Sequence, residues 1–152
     1  MPGMENRFFV NVEVAIVRDG RYLMIVRGEE EEFGAGWLCM AGGTVEWQGP
    51  ETVDDVLETT ARREVMEEIG LDLAESIIYV ESHTFVAGGP ALDVVMLAQP
   101  ASGEATPYIA SPGEVASLQW MTVDDACADE RAQPWTRESL RRAERVRTLL
   151  RW

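Results

Sequence analysis

Lysine is absent from this sequence, and all thirteen basic residues are arginine. A Walker-type phosphate-binding loop and Schiff-base chemistry both need a lysine, so the composition excludes them. Cysteine is scarce: Cys39 and Cys127 are the only two, and they form no metal-ligand pair. We therefore expect reduced thiols in a cytoplasmic protein.

Long apolar runs are also missing. No stretch reaches the roughly 20 residues that a membrane-spanning helix needs, and residues 1–6 do not resemble a signal peptide. The net charge is −14, whereas binding to a phosphate backbone needs a basic face. Only the stretch 134–152 is basic, and it is typical of a solvated amphipathic helix. We therefore expect neither a membrane nor a nucleic acid as partner.

The patterns that are present predict a single α/β domain over residues 1–152, a length that suits an independent core. Strands and intervening helices together favour a mixed sheet lying between helices. Asp19-Gly20 is a strong hairpin signal, and Thr52, Thr122 and Thr136 are expected to cap helices. The expected elements are strands at 8–17, 21–27, 37–40, 76–86, 92–99 and 115–121, a turn at Ala41-Gly42-Gly43, and helices at 52–69, 122–128 and 136–150.

Three glutamates with helical spacing form the sharpest chemical feature. Glu64, Glu67 and Glu68 lie at i, i+3 and i+4, so a helix places them on about one face, where like charges repel each other. A hard divalent cation would offset this repulsion, and Mg²⁺ prefers carboxylate and water oxygens. Arg63 lies one turn before Glu67 and can pair with it. The alternative is a solvated acidic stripe without a ligand. The glycine-rich segment upstream favours the metal site.

The segment 63–71 (REVMEEIGL) resembles the second half of the Nudix box and matches each of its specified positions. Upstream, residues 36–46 resemble the strand and glycines that lead into the box, with Ala41 where proline is usual. Downstream, Glu114 and Trp120-Met121 resemble the segment before the late strand and helix. The chain is thus similar to the Nudix (MutT-like) hydrolase superfamily. The resemblance implies an α/β/α sandwich with a mixed, curved sheet.

The resemblance also implies a site and a reaction. Mg²⁺ or Mn²⁺ would be held by Glu64, Glu67, Glu68 and a carbonyl of Gly43, while Arg63 orients the carboxylates. A water with a lowered pKa would attack a phosphorus of a nucleoside diphosphate linked to another group. The general base varies within the family, so both Glu64 and Glu114 are candidates.

The spacing of the box departs from the family. Gly43 and Arg63 are twenty positions apart, where the family pattern has fourteen. We interpret this as an insertion of six residues, about four in the helix start and two in the preceding loop. Glu51 and Asp55 are both candidates to replace the first glutamate of the box, because the insertion hides its position.

The substrate is not determined by the sequence. Val86 and Ala87 stand where family signatures for ADP-ribose and dinucleoside polyphosphates would place proline and tyrosine. Nucleoside triphosphates, nucleotide sugars and an unassigned small nucleotide remain, with Trp47 and Arg27 as candidate substrate-binding residues. A catalytically silent nucleotide sensor is the main alternative, and a metal-free structural protein is a third. The chain is also a candidate homodimer.

Overall fold

A computed structural model of the chain describes residues 7–47, 49 and 51–152. In this part the chain forms seven strands and three helices. None of the helices found there is long and apolar enough to cross a membrane. The elements are β1 Phe9–Arg18, β2 Arg21–Arg27, β3 Leu38–Cys39, β4 Ala41–Thr44, α1 Val56–Ile69, β5 Ile78–Val86, β6 Pro90–Ala98, β7 Val115–Met121, α2 Val123–Ala128 and α3 Pro134–Leu150.

Strand β1 organises the sheet. One edge of β1 pairs in parallel with β6 from Phe9 to Ile16. The other edge pairs antiparallel, first with β4 and then with β2 at the end of the strand. Strand β2 also carries β3 and β7, and β5 continues the sheet beyond β6. The sheet is therefore mixed, as the sequence predicts.

Alternate residues of β1 pack against opposite helix layers. Val12, Val14 and Ile16 belong to the apolar core that includes residues of α1. Ala15 and Val17 belong to the second core, which includes residues of α2 and α3. Complete burial of such a valine or isoleucine contributes about 1.5–3 kcal/mol. The expected α/β/α sandwich is confirmed, because successive side chains of a strand point to opposite faces.

The glycine-rich segment is a strand, so the predicted turn at 41–43 is wrong. Gly42 and Gly43 lie in β4 opposite Glu13 and Val12 of β1. A Cβ atom at Gly42 would collide with the carbonyl oxygen of Val12. Glycine is needed here because the two backbones approach closely.

Helix α1 begins at Val56, four residues later than predicted. Asp55 takes the N-cap position with φ 50°, and its side chain makes no capping hydrogen bond. Val53 and Val56 are 49% and 40% exposed, so a helix starting at Thr52 would have little core to pack against. More of the insertion therefore lies in the loop than expected. The helix ends as predicted at Gly70, whose φ is 62°.

Other boundaries shift by a few residues. The Thr122 hydroxyl accepts the predicted capping bond, from the Asp125 N–H at 3.1 Å. Thr136 is not a cap, because α3 already begins at Pro134, whose fixed φ suits the first helical position. Strand β5 starts two residues later and β6 two residues earlier than expected, and the strand expected at 37–40 is limited to Leu38–Cys39.

Candidate active site

A cavity of about 290 Å³ lies where α1 meets β4 and the loop before β7. We call it the acidic cavity. Five of the predicted site residues line it, and they come from four separate parts of the chain: Arg27, Gly43, Glu64, Glu68 and Glu114. Glu13, Glu31 and Glu46 also line it, which the sequence did not indicate.

Glu64 is held between Arg63 and Gly43. The Arg63 Nη1 donates to Glu64 Oε1 at 2.8 Å, and its Nη2 donates to the Thr44 carbonyl at 3.0 Å. The same guanidinium lies 3.7 Å from Glu46. Arg63 therefore ties the helix to the end of β4, and Glu64 is positioned by that contact. Burial raises the pKa of Glu64, although Arg63 opposes the shift.

Glu68 is the most buried acid of the helix, with 6% of its surface exposed. Its Oε1 accepts a hydrogen bond of 3.0 Å from the Gly42 N–H. Burial raises the pKa of Glu68 to about 8; the bond from Gly42 opposes the shift, and Glu114 and Glu64 add to it. The carboxylates thus interact in a place where solvent and arginine do not fully offset their charge.

Glu114 reaches the cavity from the loop before β7, far from the box in sequence. The Gly28 N–H donates to the Glu114 carbonyl at 2.8 Å, and a Cβ atom at Gly28 would collide with the carbonyl of Gly113. The same loop donates backbone N–H groups from Ala110 and Ser111 to the Glu68 carbonyl. The end of α1 and the end of β2 therefore fix the position of Glu114.

Glu67 lies apart from the other two box glutamates. Its side chain is 56% exposed and 3.4 Å from Arg63, and it does not line the acidic cavity. Within the described part of the chain, no three His, Cys, Asp or Glu side chains are arranged to hold a metal ion by themselves. Glu64 and Glu68 are thus the box glutamates that face the acidic cavity in this structure.

Trp47 is 81% exposed and lines a different groove, formed with the residues before α1 and with Arg63. Glu51 borders this groove as well, and Asp55 caps α1. Neither of these two acids lines the acidic cavity. Gln48 and Pro50, in the loop where part of the insertion is expected, lie outside the described residues.

A second cavity of about 350 Å³ adjoins the first, because Asn11, Glu13, Arg27 and Thr44 line both. We call it the aromatic cavity. Its aromatic lining residues are Phe9, Phe33, Trp37, Phe85 and Trp135. Sequence reasoning missed this site, since its walls come from distant segments. The available signal was the polar residues Asn11, Glu13 and Asp93 within otherwise apolar strands.

The chain is an α/β/α sandwich in which an acidic helix faces a glycine-containing strand, and this arrangement is typical of one class of hydrolases. A model of the NUDIX domain matches residues 8–143. The chain therefore belongs to the Nudix family and is a Nudix hydrolase. Such enzymes act on substrates that contain a nucleoside diphosphate, and they generally use divalent metal ions.

Solved structures agree with this assignment. A MutT Nudix hydrolase from Burkholderia pseudomallei is 29% identical, with a TM-score of 0.73, and the match covers 90% of this chain and 98% of that one. A MutT protein from Methanosarcina mazei Go1 is 19% identical, with a TM-score of 0.72 over 94% and 97% of the two chains. The Nudix domain of NrtR from Shewanella oneidensis, solved with ADP-ribose, is 18% identical, with a TM-score of 0.69 over 99% and 93%. No curated protein sequence matches the chain.

Proposed function

We propose that the protein is a Mg²⁺- or Mn²⁺-dependent pyrophosphohydrolase. Its substrate would be a nucleoside diphosphate linked to another group, of the nucleoside triphosphate or nucleotide-sugar type. The observation that carries the proposal is the convergence of Glu64, Glu68 and Glu114 on one cavity beside Gly43.

The donor set fits a hard cation. Mg²⁺ commonly uses one or two carboxylates and completes its shell with water and substrate phosphates. Glu64 and Glu68 would supply the carboxylates and Gly43 a carbonyl, and Glu67 would join them only by leaving Arg63. The upward pKa shifts of Glu64 and Glu68, caused first by burial, support the fit, because a bound cation would favour the ionised carboxylates. A bound cation would supply Lewis acidity toward water and toward the phosphate oxygens.

The protein's own groups have separate roles in this proposal. Arg63 is a positioning residue that holds Glu64 against β4. Glu114 is the preferred general base, because its backbone is fixed while Glu64 is already engaged by an arginine. A carboxylate in that place can take the proton of the water that attacks phosphorus. Glu64 remains the alternative base.

The aromatic cavity is the proposed site for a planar or apolar part of the substrate. It shares part of its lining with the acidic cavity, so one ligand can reach both. Arg27 lies at this junction and is a candidate to contact the phosphates. Trp47 remains a proposed substrate contact, at the separate groove before α1.

A cytoplasmic location is also proposed. Cys39 and Cys127 are both free thiols. A reducing compartment keeps such thiols in this state.

The decisive experiment is a hydrolysis assay with a panel of nucleoside triphosphates and nucleotide sugars, with Mg²⁺, with Mn²⁺ and with a chelator. We expect metal-dependent release of a phosphate product from at least one substrate, and loss of release in Glu68→Gln. Nucleotide binding without product release would favour the sensor alternative and overturn the proposal. Neither binding nor hydrolysis would favour the structural alternative.

A further inference from the structure

The aromatic cavity is walled by rings that contact one another. The Phe33 and Trp37 rings lie edge to face at 5.1 Å, and Phe33 stacks on Phe85 at 5.9 Å. Trp135 meets Trp37 edge to face at 5.5 Å. These rings come from the loop after β2, from β5 and from the start of α3. Aromatic faces carry negative electrostatic potential and attract cations.

Two acids lie at the floor of this cavity. The Asp93 side chain is only 3% exposed, and its Oδ1 accepts a 2.7 Å bond from the Asn11 amide. Glu13 Oε2 is buried and has no hydrogen-bond partner among the described residues. Burial, followed by the charge of Asp93, raises the pKa of Glu13 well above its usual range. The floor therefore places two carboxyl groups close together and leaves one buried oxygen without a partner, which is costly.

Among the described residues, the basic side chains nearest to Glu13 and Asp93 make no close hydrogen bond with either carboxyl group. Arg27 lines the cavity, but its Nη2 pairs with Glu31 at 3.1 Å and its Nε donates to the Phe33 carbonyl at 2.9 Å. His83 Nε2 lies 3.6 Å from Asp93 and its Nδ1 lies 3.7 Å from Glu81. Both contacts are longer than a good hydrogen bond. Glu81 itself is engaged by Ser139 and Arg142 on the side of α3.

We propose that the aromatic cavity binds a positively charged group of the substrate, held between the aromatic walls and the carboxyl groups of Glu13 and Asp93. A cation would meet the negative faces of the rings and the unpaired oxygen of Glu13 together. A cation would also favour the ionised forms of both carboxyl groups, whereas a neutral group would not. The inference rests on the proposed function in one respect: the positively charged group must be joined to phosphates that lie in the neighbouring acidic cavity.

Two kinds of group share the required chemistry. One is a planar cationic base, such as a ring-methylated purine, and the other is a quaternary ammonium. Both carry a diffuse positive charge that is weakly hydrated, and such cations bind well between aromatic rings. The experiment separates them with matched pairs of ligands that differ in charge but little in shape.

The test is isothermal titration calorimetry on the full chain without divalent metal. The first pair is 7-methylguanosine monophosphate against guanosine monophosphate. The second is phosphocholine against its carbon isostere, with a tert-butyl group in place of the trimethylammonium. In at least one pair we expect the cation to bind about tenfold tighter, the scale of a desolvated cation–π contact. The pair that shows the preference identifies the kind of group.

The double substitution Glu13→Gln with Asp93→Asn should lower that preference to less than about threefold, since it removes the charge but keeps the shape. Glu130→Gln, which removes an exposed acid outside both cavities, is the matched control and should keep the preference. Melting curves check that the variants fold.

Equal affinities in both pairs would overturn the inference. So would failure of both cations to bind at millimolar concentration, or a preference that survives the double substitution. Because no metal is present, the result does not depend on whether hydrolysis is found.

Discussion

The carboxylate of Glu64 fills the space beside Gly43 that a Cβ atom would need. Arg63 bonds to Glu64 and to the carbonyl of Thr44, the residue after Gly43, so the helix and the strand are joined at one point. The glycine thus allows a charged side chain to approach the backbone of β4. This contact links the box helix, whose sequence is easily recognised, to the upstream strand.

Gly43→Ala should therefore damage the site directly. The added methyl group would overlap the Glu64 carboxylate, and accommodating it should cost about 1–3 kcal/mol of stability. We expect kcat/KM to fall at least tenfold, on the order of the loss seen when a group that supports metal ligands is removed. Gly103→Ala is the control, because a Cβ atom there meets open space. Unchanged activity of Gly43→Ala at limiting Mg²⁺ would contradict the role given to this contact.

Glu68→Gln should reduce turnover more than Glu67→Gln. Glu68 is buried in the acidic cavity, whereas Glu67 is exposed and contacts Arg63. For Glu68→Gln we expect a loss of at least about 10- to 100-fold in kcat with the fold intact. Circular dichroism checks the fold, and steady-state kinetics over a range of Mg²⁺ measures the effect. Equal losses of kcat in the two variants would indicate that Glu67 contributes to the metal site as much as Glu68 does.

The stability of the metal-free protein should fall as the pH rises from about 5 to 8. The pKa of Glu68 is raised to about 8 in the folded state from its ordinary value of 4.5, mainly by burial. The folded state thus holds this proton more tightly than the unfolded chain, and the resulting stability is lost as the pH rises through the folded pKa. The melting temperature of Glu68→Gln should depend less on pH.

Mg²⁺ should raise the melting temperature most at the upper end of this range. There the carboxyl groups are ionised without compensation, and a ligand that binds only the folded state stabilises it. Thermal melts at several pH values, with and without metal, measure the effect. A stabilisation that is the same at pH 5 and pH 8, or that is absent, would contradict the proposed cation site.

Gly28→Ala should act on catalysis through Glu114. A Cβ atom at Gly28 would collide with the carbonyl of Gly113, and the Gly28 N–H holds the carbonyl of Glu114. General-base catalysis contributes about 10²–10⁴-fold, so displacing the base should lower kcat by part of that factor with little change in KM. Gly113→Ala is the control, since it meets open space. If Gly28→Ala changes KM alone, Glu114 is not the base.

The sequence predicts the box helix well because its signal is local. The spacing alone places Glu64 and Glu68 one turn apart on a helix, although it does not show that Glu67 lies outside the cavity, and Gly70 ends the helix as expected. The start of the helix depends on packing. The capping pattern at Thr52 predicted a start that is too early, because Val53 is half exposed and stabilises no helical turn there. The local sequence pattern therefore predicts the C-terminal end of α1, which carries the glutamates, better than its N-terminal end, which follows the insertion.

The aromatic cavity illustrates what local pattern does not contain. Trp37, Phe85 and Trp135 are separated by about 50 residues each along the chain, and long-range contacts, such as the pairing of β1 with β6 and of β6 with β5, bring their elements together. The alternation in β1 does place Glu13 opposite the α1 face. The same alternation would equally describe a solvent-facing glutamate, so the sequence could not show that Glu13 lines a cavity.

Two tryptophans compete as substrate contacts, and their positions predict different effects. Trp135 lines the aromatic cavity, which adjoins the acidic cavity. Trp47 lines the groove before α1. We expect Trp135→Leu to raise KM about 5- to 10-fold, the scale of one stacking contact, with a smaller change in kcat.

Trp47→Leu should raise KM by a smaller factor for the same substrate, because its ring lies outside both cavities and is 81% exposed. Both variants remove an indole and leave a leucine, so the change in side-chain chemistry is matched. Steady-state kinetics with the best substrate of the panel gives the two KM values, and melting temperatures check that neither fold is lost. A larger increase in KM for Trp47→Leu would indicate that the substrate binds in the groove beside the insertion and not in the aromatic cavity, because a ring contributes binding energy only where the ligand covers it.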